Sequence, residues 1–114
     1  MSSNRDKGKE LEEFIAAELL PIYKYSRPTV GSGSTPREKG DIKNPYFCIE
    51  AKYWSTNSFS IKESVWKKIE FEANSESKDA VYVTKNKNNN ILVSMGWQDW
   101  KSLVFEVLEL RNKK

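Results

Sequence analysis

Gly40-Asp41-Ile42-Lys43-Asn44-Pro45-Tyr46-Phe47-Cys48-Ile49-Glu50-Ala51-Lys52-Tyr53 is the stretch on which the fold turns. From Tyr46 onward it is dense in aromatic and β-branched residues and follows the turn signal Asn44-Pro45, a pattern that predicts a strand. Side chains alternate across a strand, so Phe47, Ile49 and Ala51 share one face while Cys48, Glu50 and Lys52 share the other. Glu50 and Lys52 therefore project side by side. Gly40 to Lys43 is short enough to pair antiparallel with this strand across the turn, which brings Asp41 back toward Glu50. Two carboxylates about 4 Å apart repel by roughly 4 kcal/mol at an effective dielectric of about 20, and a divalent cation removes that repulsion. Hard oxygen ligands suit magnesium or manganese, and such an ion can activate a water and stabilise the charge that develops on a phosphodiester. Lys52, beside Glu50, is placed to orient that water or neutralise the transition state. A lone E-x-K triplet is more often a solvated ion pair. The neighbouring segments have to carry the chemical reading.

Before this strand, Leu11, Phe14, Ile15, Glu18 and Leu19 trace a helical period from about Asp6 to Leu20, which Pro21 stops. Ile22 to Arg27 reads as a strand, and Pro28 to Pro36, with its Gly31-Ser32-Gly33-Ser34 core, as a loop. That loop lacks the G-x-x-x-x-G-K-[ST] spacing of a nucleotide-binding P-loop. After the central strand, Ile61, Val65, Ile69 and Ala73 recur at four-residue intervals, predicting an amphipathic helix from Ser60 to Ser75. Val81 to Thr84 and Ile91 to Ser94 are two further strands joined by the asparagine-rich turn Lys85 to Asn90. A last helix, from about Gln98 to Arg111, sets Trp97, Trp100, Val104, Val107 and Leu108 on one stripe. The order α-β-β-β-α-β-β-α implies an α/β protein with a mixed five-stranded sheet flanked by helices.

At 114 residues, with 38% hydrophobic and 12% aromatic content, the chain fits one domain spanning residues 1–114. One cysteine, Cys48, permits no internal disulfide and no Cys-x-x-Cys motif, which suits a reducing compartment. No apolar run approaches the roughly 20 residues of a membrane span, so the expectation is a cytoplasmic protein without membrane contact, or one in a host cytoplasm if the source is viral. The absence of histidine removes imidazole bases, His-based triads and the H-E-x-x-H zinc motif. A hydrolase built from this chain has to work with carboxylates, lysine and a metal. The net charge of +3 permits nucleic acid without implying it; the distribution of the charge says more. Basic residues gather at Arg5, Lys7 and Lys9, at Arg27, Arg37 and Lys39 around the glycine-rich loop, and at Lys62, Lys67, Lys68, Lys85 and Lys87.

Four segments in this order resemble the PD-(D/E)XK nuclease superfamily and, within it, the Holliday-junction resolvases of archaeal and phage type. Arg5-Asp6-Lys7-Gly8-Lys9-Glu10-Leu11-Glu12 is similar to their opening R-x-K-G-x-x-x-E, and Gly31-Ser32-Gly33-Ser34 to their G-S-G loop. Gly40-Asp41 and Ile49-Glu50-Ala51-Lys52 resemble the catalytic G-D and I-E-x-K pair. Trp66 to Ala73, followed by Val81 to Lys85, resembles the helix and strand that complete the core. The resemblance covers about residues 5 to 95.

What it implies is a restriction-endonuclease-like core and a magnesium-dependent endonuclease that resolves four-way junctions by paired symmetric cuts, with manganese as a substitute ion. Glu12, Asp41 and Glu50 would hold the metal, Glu10 being the reserve for Glu12. Lys52 would be the catalytic lysine, and Ser32 would approach the scissile phosphate. Arg5, Lys7, Lys9, Arg27, Ser34, Arg37, Lys39, Lys67, Lys68 and Lys85 would contact DNA, largely through backbone phosphates that set position without reading sequence. Partners would be branched DNA and a second copy in a homodimer, for which Trp54, Phe59, Phe105 and Leu110 are interface candidates. The chain departs from the family where many relatives place a glutamine after E-x-K; here Lys67, Lys68 or Glu70 stands in that region. Two alternatives stay open: a PD-(D/E)XK nuclease of restriction or repair type, and a catalytically silent DNA-binding protein of the same fold.

Overall fold

The computed structural model describes residues 3–19, 27–28 and 42–113. They form a small α/β protein with a mixed sheet and three helices, in the order α1 (Asn4–Leu19), β1 (Arg27–Pro28), β2 (Ile42–Lys43), β3 (Phe47–Tyr53), α2 (Glu63–Ser75), β4 (Asp79–Lys85), β5 (Ile91–Met95) and α3 (Trp97–Asn112). The sheet order is β1-β2-β3-β4-β5. Its body is three full strands, β3 to β5, and β1 and β2 extend it as two-residue pairings. Five full strands were expected. The shortfall lies on the β1–β2 side, where the expected strand Ile22 to Arg27 falls mostly outside the described residues.

Local chemistry starts and stops the elements. Ser3 caps α1 by accepting a hydrogen bond from the Asp6 amide at 3.1 Å, while the Asp6 carboxylate accepts from the Ser3 amide at 3.4 Å. The buried Asn44 side chain accepts from the amides of Tyr46 and Phe47 at 2.9 and 3.1 Å, fixing the turn between β2 and β3. Helix α2 ends where Ser77 takes φ 55°, the Lys78 amide donating to the Ala73 carbonyl and the Ser77 amide to that of Asn74. That stop aims the chain into β4, whose Asp79 amide donates to the Tyr46 carbonyl.

Strands β3 and β4 are parallel, with Phe47 opposite Asp79 and Tyr53 opposite Lys85, and α2 is the crossover between them. β2 is antiparallel to β3, with Ile42 opposite Ile49, and β5 is antiparallel to β4. The alternation along β3 divides the interior in two. Ile49 joins Leu11, Ile15 and Ala16 of α1 with Ile42, Val81 and Val83 on one side of the sheet. Cys48 joins Ile69 and Ala73 of α2 with Ala80 and Tyr82 on the other. Of the predicted α2 stripe, Ile69 and Ala73 are buried and Val65 is exposed, while Ile61 lies ahead of the helix.

Helix α3 is the exception to this packing, since it contains no buried residue. Its first turn lies nearest the body, where burial, then the charges of Asp79 and Glu70, raise the pKa of the Asp99 carboxyl. No helix of the described residues is long and apolar enough to cross a membrane.

Candidate active site

Glu50 and Lys52 sit at alternate positions of β3 and line a single cleft of about 360 Å³ between the sheet and the start of α2. Trp54, Lys62, Lys68 and Tyr82 also line it. Glu50 is half-buried and Lys52 exposed, so a carboxylate at the cleft wall stands next to an ammonium group that solvent and a ligand can both reach. The Lys52 Nζ lies 5.5 Å from the centroid of the Trp54 ring, an arrangement that holds its charge over the aromatic face. The Trp54 amide donates to the Lys85 carbonyl at 2.8 Å, carrying the β3–β4 ladder one residue further. Its indole Nε1 is buried and has no hydrogen-bond partner among the described residues.

The loop beyond Trp54 is pinned from below. Buried Asn86 donates from Nδ2 to the Asn57 carbonyl at 3.2 Å, and Asn88 donates to the Asn57 side chain at 3.0 Å. The Lys87 amide donates to the Thr56 carbonyl at 3.2 Å. These bonds fix the segment between Trp54 and Ser60, both of which face the cleft.

Cys48 lies on the same strand face, one alternation before Glu50, yet it is only 1% exposed. Burial pushes its thiol up to about 12, with the carboxylates of Glu50, Glu72 and Glu76 adding to the rise and Lys78 opposing it. The thiol is thus a packing group, and oxygen is the donor this face presents to an ion. Among the described residues Glu50 is the one carboxylate in the cleft lining, and a carboxylate without imidazole or thiolate beside it suits a hard cation such as magnesium. Among the described residues no group of three acids gathers, and Asp41 lies outside them. It is bonded to Ile42, whose register partner Ile49 is bonded to Glu50.

Helix α1 separates its two candidate acids. Phe14 and Glu18 mark the flank of the helix toward β5, since they line an apolar groove with Val93 and Met95. At about 100° per residue, Glu12 falls on the opposite flank, with buried Ala16, and Glu10 on the Phe14 side. Glu12 is half-buried and Glu10 exposed. Both acids stand on the helix that packs against the Ile49 side of the sheet, whereas Glu50 and Lys52 project on the Cys48 side. Arg5 and Lys9 share the Glu12 flank at i, i+4 and i+7, and both are exposed. Lys7 points elsewhere: its Nζ donates to the Tyr53 hydroxyl at 3.2 Å and lies 5.0 Å from that ring's centroid.

The remaining predicted contacts divide in three. Lys68 lines the cleft and also approaches Glu72 at 4.0 Å, whereas Lys67 pairs with Glu70 at 3.4 Å on the exposed side of α2. The Lys67–Glu70 pair is solvent-screened and holds its lysine only loosely, whereas Lys68 is exposed and its partner Glu72 largely buried. Lys85 ends β4, half-buried beside the Trp54 amide. Arg27 belongs to β1, while Ser32, Ser34, Arg37 and Lys39 lie outside the described residues. Lys62 and Trp54 are cleft residues that motif reading did not assign there. Lys62 sits at the N-cap of α2, a place legible only once the helix start is known. No family model, no curated protein and no solved structure matches the chain.

Proposed function

We propose that the chain is a magnesium-dependent, structure-specific endonuclease of the PD-(D/E)XK type that cuts four-way DNA junctions as a homodimer. The observation that carries this reading is that Glu50 and Lys52 project from one face of β3 into one cleft whose rim holds Lys62 and Lys68. A strand bearing a carboxylate and an ammonium group two residues apart, inside a basic cleft, suits phosphodiester hydrolysis. The lack of histidine leaves few other ways to build it.

In this reading Asp41, the residue before Ile42, would face Glu50, the residue after Ile42's register partner Ile49. Asp41, Glu50 and Glu12 would hold the magnesium ion, with manganese as a substitute. When bound, the ion supplies Lewis-acid stabilisation of charge on the scissile phosphate. Lys52 donates a hydrogen bond to the attacking water or to a phosphate oxygen, and its position over Trp54 keeps the ammonium at the cleft wall. Lys62 and Lys68 neutralise flanking phosphates, and Arg5 and Lys9 extend that contact along α1. Ser32, Ser34, Arg27, Arg37 and Lys39 are the candidates for the strand's passage over the glycine-rich loop. Such backbone contacts recognise shape and position and leave sequence unread, as junction cutting requires. A PD-(D/E)XK nuclease of restriction or repair type would use the same residues on a linear duplex.

The test is cleavage of a labelled four-way junction beside a linear duplex of the same sequence, in magnesium and in EDTA, by the wild type and by Lys52→Ala. Paired symmetric nicks on the junction alone, lost in EDTA and in the variant, support the proposal. Equal cutting of the duplex moves the assignment to the other nuclease class, and tight junction binding without any cutting moves it to a silent binder.

A further inference from the structure

The cleft that holds Glu50 and Lys52 carries more than a phosphodiester alone requires. Its rim is cationic at Lys62 and Lys68, both exposed, while the buried Ile69 and Tyr82 form its floor and Ala51 and Val65 add to the apolar surface. A charged phosphate gains nothing from such a floor. At about 360 Å³ the cleft lies at the small end of pockets for drug-sized ligands, which run from about 300 to 1,000 Å³. One base with its sugar is of that size, and two paired strands are many times larger. Both walls are held in place. Asn86 and Asn88 bond the loop before Ser60 through Asn57, and Ile69 and Ala73 fix α2 on the sheet. Glu50 is half-buried within this space. We propose that the cleft receives one unpaired nucleotide of a DNA strand, its base against the apolar floor and its phosphate among the rim lysines, so that the strand is cut where a nucleotide is free to leave the helical stack.

The inference rests on the nuclease reading and names what that site selects. A phosphate on the surface of an intact duplex can meet Lys62 and Lys68 at the rim, but it reaches Glu50 only if the nucleotide beside it turns inward. Drawing a paired base out of the stack costs free energy that a base already unpaired does not require, so a preference for unpaired sites follows from this step. Charge fits the same occupant. Lys52, Lys62 and Lys68 outweigh Glu50 in the lining, and ammonium groups around an apolar and aromatic surface are the arrangement that binds single strands. Among the described residues the lining holds no arginine, asparagine or glutamine, the planar side chains that read base edges in pairs. Entry therefore depends on freedom to unstack and not on which base is present.

Binding in EDTA tests this without cleavage. The probes are a perfect duplex and the same duplex carrying one bulged 2-aminopurine nucleotide, whose fluorescence reports the surroundings of that base. The bulged duplex should bind at least about tenfold more tightly than the perfect one, and its emission should change on binding. Val65→Trp fills the cleft at a residue outside the core, and Ser60→Trp does so from an exposed loop position of the same lining. Whichever of the two keeps the wild-type circular dichroism should bring the two affinities to within about twofold and abolish the emission change. Phe71→Ala, at an exposed residue of α2 outside the lining, should behave as the wild type. Equal affinities in the wild type overturn the proposal. A preference that survives filling of the cleft overturns it too, because the bend of the bulged helix is then read at another surface. Free deoxyadenosine monophosphate that binds as tightly as the bulged duplex does the same, making the cleft a small-molecule site. Cleavage in magnesium separates this proposal from the one beneath it. If neither duplex nor a four-way junction is cut while the bulge preference holds in EDTA, the nuclease reading fails and the cleft remains a site for an unpaired nucleotide. Equal cutting of the perfect and bulged duplexes supports a nuclease and overturns the unpaired nucleotide.

Discussion

Asn86→Ala is the perturbation whose cost can be worked out most fully from the structure. Asn86 is 2% exposed and sits under the β4–β5 turn. Its Oδ1 accepts from the amides of Asn88 and Asn90 at 3.0 and 3.2 Å, and its Nδ2 donates to the Asn57 carbonyl at 3.2 Å. A neutral hydrogen bond contributes about 1 kcal/mol net, and a buried group left without a partner costs about 1 to 3 kcal/mol. Asn57, Asn88 and Asn90 are all exposed, so water can replace part of what is lost. The expected destabilisation is therefore about 2 kcal/mol, a large share of the roughly 5 to 15 kcal/mol typical of a domain. The main-chain bonds from Asn86 to Asn90 and from Asn89 to Asn86 remain, so the loss should not exceed this by much.

Urea unfolding followed by tryptophan fluorescence is the assay. A loss of this size lowers the midpoint by about 1 M with an unchanged slope. Asn57→Ala is the matched control, since it keeps the carbonyl that Asn86 addresses and removes only an exposed side-chain bond to Asn88. It should cost less than about 0.5 kcal/mol. If Asn86→Ala also costs less than about 0.5 kcal/mol, the pinning of the loop beside the cleft is not a property of the molecule in solution.

Two further outcomes bear on the core and the cleft face. Ile69→Ala removes a side chain that is 2% exposed between α2 and the sheet, and should destabilise by about 2 to 5 kcal/mol in the same urea assay. A loss below about 1 kcal/mol would mean that α2 does not pack on the Cys48 face as described. The Cys48 thiol should resist a disulfide reagent at pH 8 in the native protein and react on addition of denaturant, because it is buried and held in its thiol form. Rapid native labelling would contradict both its burial and its role as a packing group.

The parts of this molecule legible in its sequence are those set by local periodicity. The alternation of Phe47, Ile49 and Ala51 against Cys48, Glu50 and Lys52 needs only the geometry of a strand, and the division of the two interiors follows it. The Asn44-Pro45 turn carries its own hydrogen-bond acceptor, so its place could be read directly. The parallel pairing of β3 with β4 depends on contacts across the whole of α2 and left no mark in either strand. Asn86 was legible only as one asparagine in a turn, because its burial depends on where Asn57 comes to lie. The α3 stripe reads as an apolar face from its period, but a period does not say whether that face meets the chain's own sheet or something else.

The candidate site divides along the same line. Glu50 and Lys52 could be found from spacing within one strand. Trp54 was weighed as an interface residue, and it lines the cleft together with Ser60 and Lys62 of the segment that follows it. Lys62 and Lys68 reach the cleft through the start and first turns of a helix whose N-cap, Lys62, carries no side-chain capping bond, and sequence placed that start earlier, at Ser60.

The most direct test of the central claim is single-turnover cleavage of a four-way junction by Glu50→Gln, with junction binding by the same variant measured in calcium. The account predicts a rate at least about 1,000-fold below wild type, equivalent to about 4 kcal/mol of lost transition-state stabilisation, with binding within about threefold of wild type. Cleavage by the variant at the wild-type rate would show that the Glu50 carboxylate is a solvated surface charge and would remove the basis of the nuclease reading.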